Sequence, residues 1–532
     1  MTAVGSRAGH VRPAVAGTGA SRALTGLALR QVRRGALIVM VVVAGMAATV
    51  AVTYESAVGD ALSPAALAAL AENPAVRTLF GEPVALGDPG GFTVWRTGTA
   101  LAVVVGVWGL LAATRITRGE EDAGRWDLLL AGRIRLATAV AGHLAVIIGA
   151  LLLTGVATAA ALVAAGTAAG GALLFAAAIA LTGVFFAAAG ALAAQVFPAR
   201  AAATGATVAL LGATLLARMV GDGVDALGWL RWLSPFGLLA LARPYEANRV
   251  LPLVVLALAA AALVAAVPAA AARRDVRGGW LAPRTGRAAR RALLGSVPAF
   301  AMRRLLRPLA GWTAGIGAYV LLIGLLTVSM TDFLAENAQF ADMAGEAGFG
   351  AIGSVEGFAG TLFSLLAIPV GVFAAVRIAA TAADEADRRL TLLYAQPLTR
   401  LRLLGAEVAA TAAGALVLVV AAGLALWAGA VAVGAGLGLG AALAGALNVL
   451  PVVLLCLGAA VLALGRAPRV VALVGMLPAV GGFLLLVLAD STGAPEWVGE
   501  LSPFAHLATV PEVGPDWTAA VVMVALALAL GV

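Results

Sequence analysis

LATAVAGHLAVIIGALLLTGVATAAALVAAG, residues 136–166, holds no charged side chain and only one ionisable one, His143. A bilayer core of about 30 Å is crossed by about 20 apolar residues of helix, at about 1.5 Å per residue, so this stretch is long enough to span one. Runs of the same kind flank it at 35–53, 97–114, 172–196, 201–217 and 250–272, completing a first set of six. A second set follows at 311–330, 358–376, 403–433, 441–464, 470–489 and 518–532. With 62% hydrophobic and 12% charged residues over 532 positions, the chain has too little polar surface for water-soluble domains. The expected fold is an all-α polytopic membrane protein of about 12 helices. The last run stops at Val532, about 22 Å of helix, so the twelfth span is expected to be incomplete or truncated.

The charges sort into two faces. The sequence contains 35 basic residues, all arginine, and they gather beside one set of span ends: Arg22 to Arg34, Arg115 to Arg135, Arg200, Arg273 to Arg307, Arg377 to Arg402, and Arg466 with Arg469. The positive-inside rule makes that side cytoplasmic and places the N-terminus there. Acidic loops alternate with it, carrying Glu55, Asp60, Glu72, Glu82 and Asp88, then Asp332, Glu336, Asp342, Glu346 and Glu356, then Asp490, Glu496, Glu500, Glu512 and Asp516. The loop 218–249 has mixed charge, and only the parity of the spans assigns it to the external side. A formal charge of +8 built this way points to anionic lipid headgroups, not nucleic acid. The leader 1–22 lacks a secretory apolar core and is expected to be a disordered cytoplasmic segment. The six-span halves are then 23–272 and 299–532, joined by an arginine-rich cytoplasmic linker at 273–298. Cys456 is the only cysteine, which excludes an intrachain disulfide and any multi-cysteine metal site.

The halves repeat. Glu120, Glu121, Gly124, Arg125, Leu128, Leu129 and Ala131 match Asp384, Glu385, Arg388, Arg389, Leu392, Leu393 and Ala395 at an offset of 264. Trp229 and Leu233-Ser234-Pro235-Phe236 match Trp497 and Leu501-Ser502-Pro503-Phe504 at an offset of 268. An even number of spans per half makes the repeats parallel, related by an axis along the membrane normal, with substrate expected to pass along it. In each charged island an acid and a base stand four apart, Glu121 with Arg125 and Glu385 with Arg389, which predicts a short self-paired helix. Ser234-Pro235 and Ser502-Pro503 read as helix starts, with serine as N-cap and proline at the first helical position. His143 and Glu407 also match at 264, each about two turns into the third span of its half, where pairing with a nearby arginine or snorkelling is expected. Asn448 in the tenth span is placed to hydrogen-bond a neighbouring helix.

On these islands the chain resembles the permeases of type-2 ATP-binding-cassette exporters, in the fused two-half form found in actinobacteria and grouped with antibiotic and multidrug exporters. The resemblance covers nearly the whole chain. It implies that Glu120-Glu121, Arg125 and Leu128-Leu129, with Asp384-Glu385, Arg388-Arg389 and Leu392, form coupling helices that contact a separate cytoplasmic ATPase, two copies of which would carry ATP and Mg. It also implies an amphipathic elbow helix before each half, at 24–34 and 300–308. An external hairpin is implied before each last span, where Trp229, Ser234, Pro235 and Phe236, and Trp497, Ser502, Pro503 and Phe504, would help close an external gate. Arg388 departs from the pattern by replacing the glycine at Gly124. No phosphate-binding loop, no His-Glu-x-x-His helix and no Gly-x-Ser-x-Gly elbow occurs, so this chain is expected to be a transport subunit with no cofactor of its own. Hydrophobic or amphipathic cargo is the expectation; an ion-coupled transporter or a membrane scaffold is the alternative.

Overall fold

Without water in the bilayer core, every backbone N–H and C=O must find its partner inside the chain, and the apolar runs satisfy this as helices. The computed structural model describes residues 18–54, 73–132, 134–281, 292–341, 350–492 and 495–531, and among these there is no strand. Among the described residues, eleven helical stretches are long and apolar enough to cross a membrane. The twelfth apolar run forms a shorter helix, Trp517–Gly531. Most of the leader 1–22, the acids Glu55, Asp60, Glu72, Asp342 and Glu346, and 282–291 of the linker lie outside the described residues.

Two compact units divide the chain, 1–72 with 76–286, and 73–75 with 287–532. In unit 1 the principal helices are α1 (Thr18–Val52), α2 (Pro89–Thr114), α3 (Arg125–Leu130), α4 (Leu136–Ala164), α5 (Ala169–Val196), α6 (Arg200–Gly223), α7 (Pro235–Leu241) and α8 (Leu251–Ala271). Helix α5 is the axis of the packing. It is flanked by α2, α4 and α8, and it buries Phe175, Ile179, Phe186 and Ala187 in the common core. In unit 2 the order is α9 (Val297–Leu325), α10 (Val355–Ala386), α11 (Thr391–Tyr394), α12 (Arg400–Ala432), α13 (Leu439–Leu447), α14 (Leu450–Arg466), α15 (Val471–Met476), α16 (Gly482–Thr492) and α17 (Trp517–Gly531). The same pairs pack in each unit: α1 on α4 and α9 on α12, α2 on α5 and α10 on α14, α5 on α8 and α14 on α17.

Three expectations change. The elbow segments are not separate helices, because α1 and α9 run unbroken from elbow to span. No breaker stands between Arg34 and Gly35, and Pro308 is accommodated inside α9. The elbow faces are nonetheless amphipathic: Leu24, Ala28 and Val32 are buried while Arg30, Arg33 and Arg34 are exposed. The tenth span breaks at Asn448, with Pro451 at the start of α14. Asn448 Nδ2 donates to the Ala508 carbonyl at 2.8 Å, so its partner is a loop rather than a helix.

Close approach between α9 and α12 depends on glycine. A Cβ at Gly429 would meet the Leu321 carbonyl oxygen at 2.5 Å, and one at Gly324 would meet the Leu426 carbonyl oxygen at 2.6 Å. Small residues let membrane helices gain dispersion energy by bringing backbones together. Gly405, on the same helix as Gly429, has nothing within 4 Å of its Cβ position. We therefore expect Gly429→Leu to destabilise the detergent-solubilised chain by about 1–3 kcal/mol and Gly405→Leu to leave it unchanged, as read by thermal unfolding.

Candidate functional site

The two charged islands fold to one backbone pattern. Gly124 and Arg388, 264 residues apart, both take the left-handed conformation, with φ of 73° and 57°. The flanking hydrogen bonds repeat as well: Gly124 N to Glu121 O and Arg388 N to Glu385 O, each 3.0 Å, then Ala131 N to Asp127 O at 3.0 Å and Ala395 N to Thr391 O at 3.1 Å. Left-handed backbone is free for glycine and disfavoured for arginine by roughly 1–2 kcal/mol. The departure at Arg388 therefore leaves the turn intact and adds strain. After each turn the chain buries one apolar side chain, Trp126 in α3 or Leu390 just before α11, and the short helix presents another outward. Leu128 is 85% exposed and Leu392 is 82% exposed.

The expected Glu121–Arg125 and Glu385–Arg389 pairs do not form. The left-handed turn interrupts the helix between acid and base and shifts the partner by one residue. Arg125 binds Glu120, with Nη2 at 2.8 Å from Oε1, and Arg389 reaches Asp384 at 3.3 Å and Asp387 at 3.2 Å. Glu385 lies 3.5 Å from Arg400. Burial and the Glu385 carboxylate raise the pKa of the nearby Tyr394 phenol. Glu121 turns inward instead. It accepts from Arg274 Nη1 at 2.6 Å, Arg274 Nη2 at 2.7 Å and the Arg277 backbone N–H at 2.5 Å, and Arg118 stands 3.0 Å away. Arg118 is fully buried on a π-helical turn, Arg115–Gly119, and also donates to the carbonyls of Phe197 and Gly278. Arg277 reaches Asp127 as well, while Asp122 Oδ2 accepts from the first backbone N–H of α6 at 3.0 Å. The start of the linker thus folds back and binds the first charged turn.

In unit 2 the buried carboxylate is Glu407. Arg304, from the elbow end of α9, donates to it at 2.7 Å, and Arg377 does so at 3.3 Å. Arg304 also holds Asp384, so the second turn is tied to the elbow rather than to a linker. His143, the counterpart of Glu407, has no arginine partner: it is buried, its Nδ1 lies 2.8 Å from the Ala139 carbonyl, and its ring stands 5.5 Å from that of Trp126. The five arginines that hold these carboxylates were not singled out by sequence reasoning. Only Arg118, three residues before Glu121, gave a local signal.

At the opposite end Ser234 caps α7, accepting from Gly237 N, while its hydroxyl donates to the Thr214 carbonyl at 2.7 Å. Ser502 does not start a helix; residues 501–506 form turns and Ser502 Oγ accepts from Phe504 N. Its hydroxyl nevertheless donates to the Gly482 carbonyl at 2.8 Å, and 214 and 482 differ by the same 268 as 234 and 502. In both units this serine pins the segment before the last helix to the fifth span. Pro235, Phe236 and Phe504 are buried, Pro503 is half-buried, and Trp229 and Trp497 are exposed. The loop 218–249 shares its side with the first acidic loop: Arg231 and Arg243 both pair with Glu82, and Arg77 pairs with Asp225. Among the described residues no cluster could hold a metal ion.

The fold and the repeated charged turn define a polytopic helical membrane protein with two similar halves. The family described as "Multidrug efflux system permease Rv1217c, C-terminal domain" matches residues 24–271 and 294–532. The multidrug efflux system permease protein Rv1217c of Mycobacterium tuberculosis is 30% identical over 472 residues, covering 87% of this chain and 84% of the relative. The chain belongs to this family of multidrug efflux permeases.

Removing one partner from a buried ion pair leaves an uncompensated charge, at a cost of about 3–5 kcal/mol. Arg274→Ala is therefore expected to lower the unfolding midpoint sharply, whereas Arg273→Ala, at an exposed neighbour, leaves it in place. Arg388→Gly should stabilise the second turn by about 1 kcal/mol, read as slower amide exchange across residues 385–395.

Proposed function

We propose that the chain is the membrane subunit of an ATP-driven exporter, coupled to a separate ATPase through its two charged turns. The observation that carries this reading is the pair Leu128 and Leu392. Each is a large apolar side chain more than four-fifths exposed, each follows the same left-handed turn, and the two are 264 residues apart. An exposed leucine framed by charges on a protruding turn is a docking knob, and two equivalent knobs suit a partner that is itself a dimer. The arginine-rich side is then cytoplasmic, and two ATPase copies bind there, carrying ATP and Mg that this chain does not hold.

The ion pairs explain how a push on the turns reaches the membrane helices. Glu121 links the first turn to the end of α2 and the linker; Asp384 and Arg304 link the second to α9 and, through Glu407, to α12. Nucleotide binding to the ATPase shifts the population between inward-open and outward-open arrangements by its differential affinity for them. Both buried carboxylates are already bound by two guanidinium groups, which argues against either serving as a proton carrier. The relative's name supports multidrug export, and the apolar spans suit hydrophobic or amphipathic cargo such as a drug, an antibiotic or a lipid.

Leu128→Asp and Leu392→Asp test the docking role. Each single variant should reduce stimulation of the co-expressed ATPase several-fold, and the double variant should abolish it, with insertion and unfolding midpoint unchanged. Full stimulation in the double variant would remove these turns from the coupling path.

A further inference from the structure

We propose that unit 1 binds an amphipathic carboxylate in a pocket at the end opposite its charged turn, with the carboxylate on Arg218 and Thr99 and an apolar body along Trp95 and Leu239. The pocket lies among α2, α6 and α7. Inside it, water-sized groups have about 40 Å³ to occupy, room for about three of them, which is the size of a carboxylate. Arg218 lines the pocket with a side chain only 3% exposed. Its Nε stands 2.6 Å from Asp222 Oδ2, yet Nε, Nη1 and both Asp222 oxygens are buried without a hydrogen bond, so the two meet by charge alone. A buried donor left without an acceptor is costly, and a planar guanidinium is matched by the two oxygens of a carboxylate.

The surroundings hold Arg218 in place and leave its nitrogens free. A Cβ at Gly81 would meet Arg218 Nη2 at 2.0 Å, so this glycine, with φ of 99°, makes the space the guanidinium fills. Thr93 and Thr97 on α2 each donate to the carbonyl four residues earlier, whereas Thr99 makes no hydrogen bond among the described residues and can donate into the pocket. Trp95 Nε1 is already bound to the Gly81 carbonyl at 3.1 Å, which leaves the indole only its apolar surface to offer. The neighbouring arginines are occupied: Arg231 and Arg243 both meet Glu82, and Arg231 Nε donates to the Gly228 carbonyl at 3.2 Å.

Charge separates an anion from a neutral or cationic occupant. Arg77, Arg218, Arg231 and Arg243 gather around Asp222 and Glu82. The other two acids of the cluster, Glu246 and Asp225, are 43% and 89% exposed, where water screens them. The field inside the pocket is therefore positive. Unit 2 lacks these arginines: 268 residues on, Leu486, Gly499 and Pro511 stand where unit 1 has Arg218, Arg231 and Arg243, although Asp490 keeps the place of Asp222. The site is independent of how transport is powered, and its test contains no ATPase.

The test uses the purified full-length chain in mild detergent and chloride-free buffer, with radiolabelled benzoate, benzyl alcohol or benzylammonium counted by equilibrium dialysis against empty micelles. The wild type should bind one benzoate per chain saturably and neither of the other two. Ala240→Leu should weaken benzoate binding by about tenfold or more by filling the pocket, and Arg218→Lys should do the same by keeping the charge and losing the planar fork, while Arg96→Gln, at an exposed neighbour on α2, has no effect. If Arg218→Lys fails to fold, Ala240→Leu decides alone. Equal binding of benzyl alcohol, which would make the pocket merely apolar, or wild-type binding by the Ala240 variant overturns the proposal. So does full displacement of benzoate by equimolar chloride, which would make the site one for inorganic anions.

Discussion

A carboxylate buried at the arginine-rich end of each unit and held by two guanidinium groups is the interaction on which the rest of the arrangement depends. Taking Glu121 or Glu407 out of water costs several kcal/mol, and Coulombic attraction offsets that only when the geometry is close and the remaining lone pairs are bonded. Both sites meet the condition. Glu121 has Arg118, Arg274 and a backbone N–H, and Glu407 has Arg304 and Arg377. Because these partners come from other segments, the linker after α8 in unit 1 and helices α9 and α10 in unit 2, each cluster ties its charged turn to the structure beneath it. A turn joined only by surface pairs, worth about 0–1 kcal/mol each, could move without it.

The two halves preserve backbone geometry more faithfully than they preserve charges. The left-handed turn, its hydrogen bonds and the outward leucine recur at one offset, even though arginine replaces glycine at the turn. The serine that pins the segment before the last helix recurs too, although only one of the two copies caps a helix. The arginines that neutralise the buried acids do not correspond at all. A linker supplies one of them in unit 1 and an elbow supplies one in unit 2. Each half therefore anchors its turn to a different neighbour, and the halves are mechanically unequal.

Spans were legible because length and hydropathy are local properties, and among the described residues eleven of the twelve expected runs appear as helical stretches long enough to cross a membrane, the tenth with a break at Asn448. The charged islands were legible because a repeat marks positions even where single residues carry no motif. What the sequence hid was long-range. Arg274 meets Glu121 across 153 residues and Arg304 meets Glu407 across 103, and no local period encodes such pairs. The expected four-residue pairs failed because Gly124 and Arg388 turn left-handed between acid and base. Continuity of α1 and α9 was missed for the opposite reason: arginines on an amphipathic face look like a boundary, although no residue there stops a helix.

If a separate ATPase drives this permease from its arginine-rich side, as proposed above, the two should leave the membrane together, and their stoichiometry is the quantity to measure. The chain should be withdrawn from native membranes in mild detergent and the co-purifying proteins counted by quantitative mass spectrometry. An ATPase at two copies per chain is the expected result. Recovery of the chain intact and monodisperse with no ATPase would contradict it.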